Sequence, residues 1–379
     1  MTTRVLVIGG GLAGAAAAIA ASSAGADVTL LSRAPGATAL YAGGMEITPD
    51  VERVMMTEPY HPFTRLYRDH AILAADLSAV GEDLTERLTE VGLPCVGHPG
   101  LYSDIHGTAR HADVVPATVR SGELGGLRNR TVAVIEIAGV GDYDAESTAE
   151  ALVEEHGVIA SVARVNVAGL PILPALGDLF GRPAPKPRSK AEVLAYPPGF
   201  VDLPENGFEL LCAPPAPHGW RLHHALEQAL AAAGVKRENA EVTGFDTTGD
   251  RLRAARVGDR AWDADAFVLA TGRFIGGGLV KSRLMREPLL DLAVYYQGEP
   301  IDAAYGVLRH LEYVDSEPAF RTGLLTDGEL RPIGADGQPP FANLWAAGSI
   351  LGGYDSVGGG CGFGLPLLTG RLAGRLAAA

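Results

Sequence analysis

The sequence predicts an α/β fold built on a parallel sheet and interrupted by an inserted α/β domain. Three observations carry this. Residues 4–33 read strand, glycine loop, helix, strand. Two later segments, 263–272 and 341–353, each run from an apolar strand into a glycine turn. Between them, residues 60–204 change texture and carry no full glycine fingerprint.

The elements follow in chain order. RVLVI (4–8) is a short β-branched run of the buried-strand kind. The alanine-rich stretch after Gly11 is helical to about Ala24, where Gly25 stops it, and DVTLLS (27–32) is the next strand. Such a βαβ unit requires parallel strands and a right-handed crossover. The loop ATALYAGGMEI (37–47) carries paired glycines, and helical spacing returns near 63–91. A second α/β unit follows: TVAVIEI, a helix through about His156, then ASVARVNV; AGVG (138–141) is only a shadow of a glycine fingerprint. The Pro- and Arg-rich segment 181–198 reads as an exposed loop. Residues 208–212 resume as a strand, and 219–234 form an amphipathic helix ending at Gly234. Hairpin-like strands at 241–248 and 251–257 precede DADAFVLATG (263–272), and 370–379 closes the chain as a helix. The expected organisation is a discontinuous domain, 1–59 and 205–379, around an insert at 60–204, with 280–322 as a cover.

Composition bounds what this fold can do. The chain has 379 residues, 47% hydrophobic and 20% charged, which is globular rather than disordered. A formal charge of −14 excludes a general nucleic-acid surface, and an anionic substrate then needs a local cluster of cations. Cys95, Cys212 and Cys361 have no CxxC spacing, so neither a zinc nor an iron–sulfur framework nor a disulfide scaffold is expected. Cys95 and Cys212 read as buried small hydrophobes. The N-terminus reads as a strand, without a basic leader, and no uncharged run approaches the ~20 apolar residues of a membrane span. A soluble, cytoplasmic protein is expected.

Gly9-x-Gly11-x-x-Gly14 follows a strand and opens a helix, the context that gives this spacing meaning. Gly9 permits the tight turn, Gly11 lets backbone approach a phosphate, and Gly14 lets helix and sheet pack. The helix start at Leu12 and Ala13 offers free N–H groups and a positive dipole end. The bland alternative is a glycine turn that holds nothing.

Three further segments, ATALYAGGMEI, DAFVLATG and NLWAAGSILGG, come in an order that resembles flavoproteins of the fumarate reductase and succinate dehydrogenase type. That resemblance implies a Rossmann-like FAD/NAD(P)-binding fold of the glutathione-reductase type. It places the loop of Ala42, Gly43 and Gly44 beside the flavin, lets Ala270, Thr271 and Gly272 close the cofactor domain, and sets Gly348 and Ser349 against the ribityl chain. Gly359, Gly360 and Cys361 then precede a helix aimed at the isoalloxazine, whose anionic reduced form its dipole stabilises. Cys361 is a candidate redox thiol there, though no partner cysteine stands at thioredoxin spacing.

A narrower resemblance lies in ATGRFIGGGLVKSRLMREPLLDL (270–292), TGLLTDGELRP (322–332) and NLWAAGSILGGYDSVGGGCGFG (343–364). With HPF (61–63), VAVIEIAGVGDYDA (132–145) and PPAPHGWRLHHAL (214–226), these are similar to one flavoprotein subunit of the anaerobic glycerol-3-phosphate dehydrogenases, the one generally described as an FMN protein. Arg273 departs from the pattern, which favours a small residue after Thr-Gly. The resemblance implies oxidation of glycerol 3-phosphate to dihydroxyacetone phosphate. Electrons would pass to quinone through an iron–sulfur, membrane-anchoring subunit, beside a second flavoprotein subunit, at the cytoplasmic membrane face. An independent flavin oxidoreductase for another small hydroxy or unsaturated acid stays open, as does a non-catalytic electron relay.

The second strand ends in Ser32-Arg33, where an acidic ribose ligand is usual. Ser32 offers a hydroxyl, and Arg33 suits adenine stacking or a phosphate. FMN, the cofactor usually given to this family, agrees with the missing acid. Val242 at an adenine-contacting position and the pyrophosphate-type loop favour noncovalent FAD. For the hydroxyl proton and the substrate phosphate, the candidates are His61, Arg221, Arg286 and Arg331, with Arg331 first because its turn precedes the last flavin strand. Each has a plainer role: a loop histidine, a helix-surface charge, or for Arg286 a pair with Glu287 or Asp291. Lys281 and Arg283 read as a solvated face.

Overall fold

A computed structural model describes residues 2–213, 216–281, 285–301, 318–355 and 358–379. The chain forms two compact units, one of residues 1–38, 47–83 and 226–379, the other of 39–46 and 84–225. The expected boundaries at 59/60 and 204/205 fall inside these units. Residues 47–83 stay with the first unit: Gly81 packs on Ile47, and the Arg65 Nε donates to the Thr326 carbonyl at 2.8 Å. Gly207–Glu209, expected to resume the first domain, instead extends a sheet of the second.

The first unit holds a five-stranded parallel sheet in the order 344–346, 266–269, 4–8, 27–32, 236–239. Residues 5–8 and 266–269, in its central strands, are continuous buried apolar runs, as expected where helices cover both faces of a parallel sheet. The edge strand Lys236–Asn239 (KREN) is polar and exposed, which discourages pairing with another chain. The helices Leu12–Ser23 and Gly364–Ala378 pack backbone to backbone. A Cβ on Gly370 would lie 2.4 Å from the Ala13 carbonyl oxygen, and one on Gly374 2.1 Å from that of Ala17. The expected 241–257 hairpin gains a third antiparallel strand, Arg260–Asp263.

The second unit is built on a parallel sheet in the order 159–165, 131–137, 193–196, 207–209. The helix Ala145–His156 is capped by the Asp144 carboxylate and ended by left-handed Gly157. Cys95–Ser103 and Ala109–Pro116 form an antiparallel hairpin. The helix Pro217–Ala232 begins two residues earlier than its pattern suggests, because Pro217 fits the first turn, where no N–H is needed.

Candidate functional site

Three glycine turns of the first unit converge on the N-terminus of the helix Leu12–Ser23. Gly9 has φ +116°, donates its N–H to the Leu31 carbonyl at 2.9 Å, and leaves no room for a Cβ, which would lie 2.2 Å from the Ala270 carbonyl oxygen. A Cβ on Gly14 would lie 1.9 Å from the Gly9 carbonyl oxygen. Gly348, φ +79°, backs onto Ala13 and donates its N–H to the Thr369 hydroxyl at 3.0 Å. Gly272 faces Ser349.

Gly11 is different. Its φ is −78°, and a Cβ there meets only the Thr38 hydroxyl, at 3.4 Å. Neither conformation nor packing demands glycine at this position. As the N-cap residue, Gly11 brings no side chain to the helix end, and the Thr38 Oγ1 accepts from the Leu12 N–H alone, at 2.9 Å. The buried Thr271 hydroxyl has no hydrogen-bond partner. A helix end with donors to spare, an open glycine and an orphan hydroxyl fit a phosphate-bearing cofactor.

At the end of the second strand, the Ser32 hydroxyl donates to the Ala34 carbonyl at 2.6 Å. Arg33 pairs with Glu241 at 2.6 Å, which holds the segment of buried Val242 beside Arg33. Both partners are exposed, so the pair orients the chain more than it stabilises it.

His61, Tyr354, Cys361 and Arg273 form a buried cluster. The His61 Nδ1 accepts from the Phe63 N–H at 3.1 Å and so caps a short helix. Its Nε2 therefore carries the proton and lies 4.0 Å from the Cys361 sulfur. Burial, with Arg321 and Arg53 nearby, lowers His61 to about 3, so the imidazole is neutral. With one nitrogen accepting and the other protonated, it holds no free lone pair for a substrate proton. This corrects its expected part as the base. Cys361 is fully buried and shielded from solvent oxidants. Gly359 and Gly360 precede it, Gly359 folded against the Asp355 carbonyl and Gly360 with φ +68°. Arg273 is accommodated because its Nη2 donates to the Leu351 carbonyl at 2.8 Å and its guanidinium lies 5.3 Å from the Tyr354 ring centre.

Two of the three expected phosphate cations, Arg331 and Arg221, are ion-paired. Arg331 pairs with Asp327 at 2.8 Å and with Glu329 at 3.1 Å, so its fork is not open and its surroundings repel an anion. Arg221, in the second unit, donates from both terminal nitrogens: Nη1 to Glu209 at 2.7 Å and Nη2 to the Phe200 carbonyl at 3.0 Å. It is the part-buried partner of the buried Glu209 rather than a helix-surface charge. Glu209 also accepts from the Thr118 hydroxyl and the Gly199 N–H; burial raises its carboxyl, but His218, Arg221 and the Gly199 N–H outweigh that and hold it below the usual range. Arg286 is exposed in the two-residue strand Met285–Arg286. Its expected partner Glu287 is buried and accepts from the Leu289 and Leu290 N–H groups instead. Lys281 lies in the strand Val280–Lys281; Arg283 lies outside the described residues.

In the second unit, the Ala42 carbonyl accepts from the Cys212 N–H at 2.9 Å. Gly43 has φ +118°, and a Cβ there would lie 2.8 Å from the His218 ring; one on Gly44 would lie 2.9 Å from Ala112. Sequence reasoning missed His218. Its Nε2 donates to the Leu210 carbonyl at 3.2 Å, and burial keeps it neutral, which leaves Nδ1 as a buried acceptor without a partner. The pattern gave no signal, because a histidine directly after Pro217, in a proline-rich stretch, reads as ordinary loop.

The fold and the open helix end define a dinucleotide-binding flavoprotein. The chain belongs to the FAD binding domain family, whose model matches residues 4–172 and 201–365, and FAD is its cofactor. It is 28% identical to a Halobacterium salinarum protein named as a probable anaerobic glycerol-3-phosphate dehydrogenase subunit, over 99% of this chain and 98% of that one. A Yersinia pestis protein, named as the corresponding subunit of anaerobic glycerol-3-phosphate dehydrogenase, is 27% identical, over 97% and 96%. Among solved structures, a flavocytochrome c3 fumarate reductase is 14% identical at a TM-score of 0.46, covering all of this chain and 78% of its own. No described helix is long and apolar enough to cross a membrane.

Proposed function

We propose that this flavin oxidoreductase is a subunit of a glycerol-3-phosphate dehydrogenase. It oxidises glycerol 3-phosphate to dihydroxyacetone phosphate and passes electrons through partner subunits, one of them iron–sulfur, to quinone. The observation that carries the reading is the near full-length similarity to proteins of that name, on a chain whose Gly11 is open for a phosphate. Gly9, Gly11, Leu12, Ala13 and Gly14 hold the pyrophosphate, with Ala270, Thr271, Gly272, Gly348 and Ser349 along the rest of the cofactor. Arg33 and Val242 border the adenosine. Bound FAD supplies a two-electron acceptor for the carbinol hydrogen. The chain's own tasks are to orient the alcohol, to take its hydroxyl proton and to exclude water. The test is anaerobic: glycerol 3-phosphate added to the purified flavoprotein bleaches its visible absorbance. One observation favours the relay reading, namely that Arg221 and Arg331 are both ion-paired. In that case bleaching occurs only after a catalytic partner is added.

A further inference from the structure

One carboxylate of the first unit faces two guanidiniums. Glu58 ends the short helix Val51–Thr57, with its N–H donating to the Val54 carbonyl at 2.9 Å and its side chain mostly buried. The Arg53 Nη1 donates to the Glu58 Oε1 at 2.8 Å. The Arg321 Nη1 stands 3.6 Å from the Glu58 Oε2, too far for a hydrogen bond. Among the described residues, the partly exposed Arg321 guanidinium donates no hydrogen bond. The cluster therefore carries one positive charge in excess, on a chain whose formal charge is −14. A helix-end ion pair needs Arg53 alone, and leaves Arg321 without a task.

The backbone of Arg321 is fixed against the glycine turns. Its carbonyl accepts from the Gly353 N–H at 2.8 Å, and the Gly352 N–H donates to the Leu324 carbonyl at 2.9 Å. Gly323 leaves no room for a Cβ against the Gly352 backbone, and Leu324 bridges Leu351 in parallel. Residues 321–324 thus lie on 351–353, directly after the turn of Gly348 and Ser349. Gly353 in turn admits no Cβ against the Tyr60 carbonyl, which brings the Glu58 segment to the same place. His61 senses both cations: after burial, Arg321 and then Arg53 lower it.

We propose that Arg321, with Arg53 beside it, binds the phosphate of the substrate, and that Glu58 holds the two guanidiniums together until the phosphate arrives. This deepens the function proposed above and rests on the reading in which this chain itself binds glycerol 3-phosphate. A phosphomonoester is close to a dianion at neutral pH and presents three acceptor oxygens, so it matches two cations where Glu58 matches one. In glycerol 3-phosphate only a methylene and an ester oxygen separate the phosphorus from the carbinol carbon. Its cation must therefore stand near the cofactor, and Arg321 is laid on the chain that continues from Gly348 and Ser349. All of these residues belong to the first unit, which also carries the glycine corner.

The experiment titrates the FAD-loaded protein by calorimetry with dihydroxyacetone phosphate, which cannot reduce the oxidised flavin, and separately with inorganic phosphate. Arg321→Ala is expected to weaken both at least about 10-fold, with flavin content and melting temperature near those of the wild type. Arg321→Lys keeps the charge without the fork and restores part of the affinity. Glu58→Gln is expected to tighten both about threefold or more while lowering the melting temperature, because it removes the competing carboxylate and leaves two cations facing each other. A purely structural cluster would lose stability there without any gain in affinity, and that result overturns the part given to Glu58. Wild-type binding of both ligands with unchanged affinities in Arg321→Ala overturns the proposal alone. Inorganic phosphate bound through Arg321, with dihydroxyacetone phosphate not bound, overturns the substrate reading and leaves an anion site. A wild type that binds neither overturns both.

Discussion

Single residues carry the sharpest expectations. Gly11→Val has room in the protein, so the variant folds, but its branched side chain occupies the phosphate approach. It is expected to purify with normal circular dichroism and without flavin absorbance. Gly14→Val fails differently, because its Cβ meets the Gly9 carbonyl; it is expected to lose expression or thermal stability before any question of flavin arises. The flavin is expected to be held noncovalently, since loop 37–47 has no histidine to attach it; acid precipitation is expected to leave a colourless pellet. His61 sets a pH dependence. Burial lowers it from 6.5 to about 3, so the stability it contributes is fully present above pH 6.5 and is lost as pH falls towards 3. The expected slope is about 1.4 kcal/mol per pH unit in that window, and His61→Gln flattens it in denaturant titrations.

Packing between elements explains why other positions tolerate so little. The helices Leu12–Ser23 and Gly364–Ala378 meet through Gly370 and Gly374, which admit no side chain against Ala13 and Ala17. Gly374→Leu is expected to destabilise the fold by about 1–3 kcal/mol and to loosen flavin binding, since one of these helices carries the proposed phosphate site. The denaturation midpoint and the flavin dissociation constant check both. The turn at Asp327–Arg331 gives the opposite forecast. Arg331 ties its own turn together through Asp327, so Arg331→Ala lowers stability by at most about 1 kcal/mol and leaves the substrate dependence of bleaching unchanged. A large loss of substrate affinity at full flavin occupancy would return Arg331 to the substrate.

For the whole molecule, FAD links stability to occupancy. Because it binds the folded chain, free FAD at about 1,000 times its Kd stabilises by about 4 kcal/mol. Removing it by acid salt treatment is expected to lower the melting temperature, and adding FAD, but not NAD, to restore it. The cofactor framework was legible in the sequence because its signals are local. The βαβ alternation, the spacing of Gly9, Gly11 and Gly14, and the turns at Gly272 and Gly348 follow from backbone chirality and from what a phosphate can approach. The polar candidates were not legible. Whether Arg221, Arg331 or His61 is available depends on carboxylates and carbonyls brought from elsewhere: Glu209 from a neighbouring strand, Asp327 from within one turn, the Cys361 sulfur from 300 residues away.

The sequence by itself determined the fold class, the strand that opens it and the glycine corner, since periodicity and φ requirements act over a few residues. Only the tertiary structure decided which glycines packing and conformation require and which they leave open. It also put residues 39–46 with the second unit and 47–83 with the first, and brought Arg321 to the carboxylate that Arg53 shares, Glu58. Those outcomes depend on which distant backbone fills the space around a residue, and no local pattern records that.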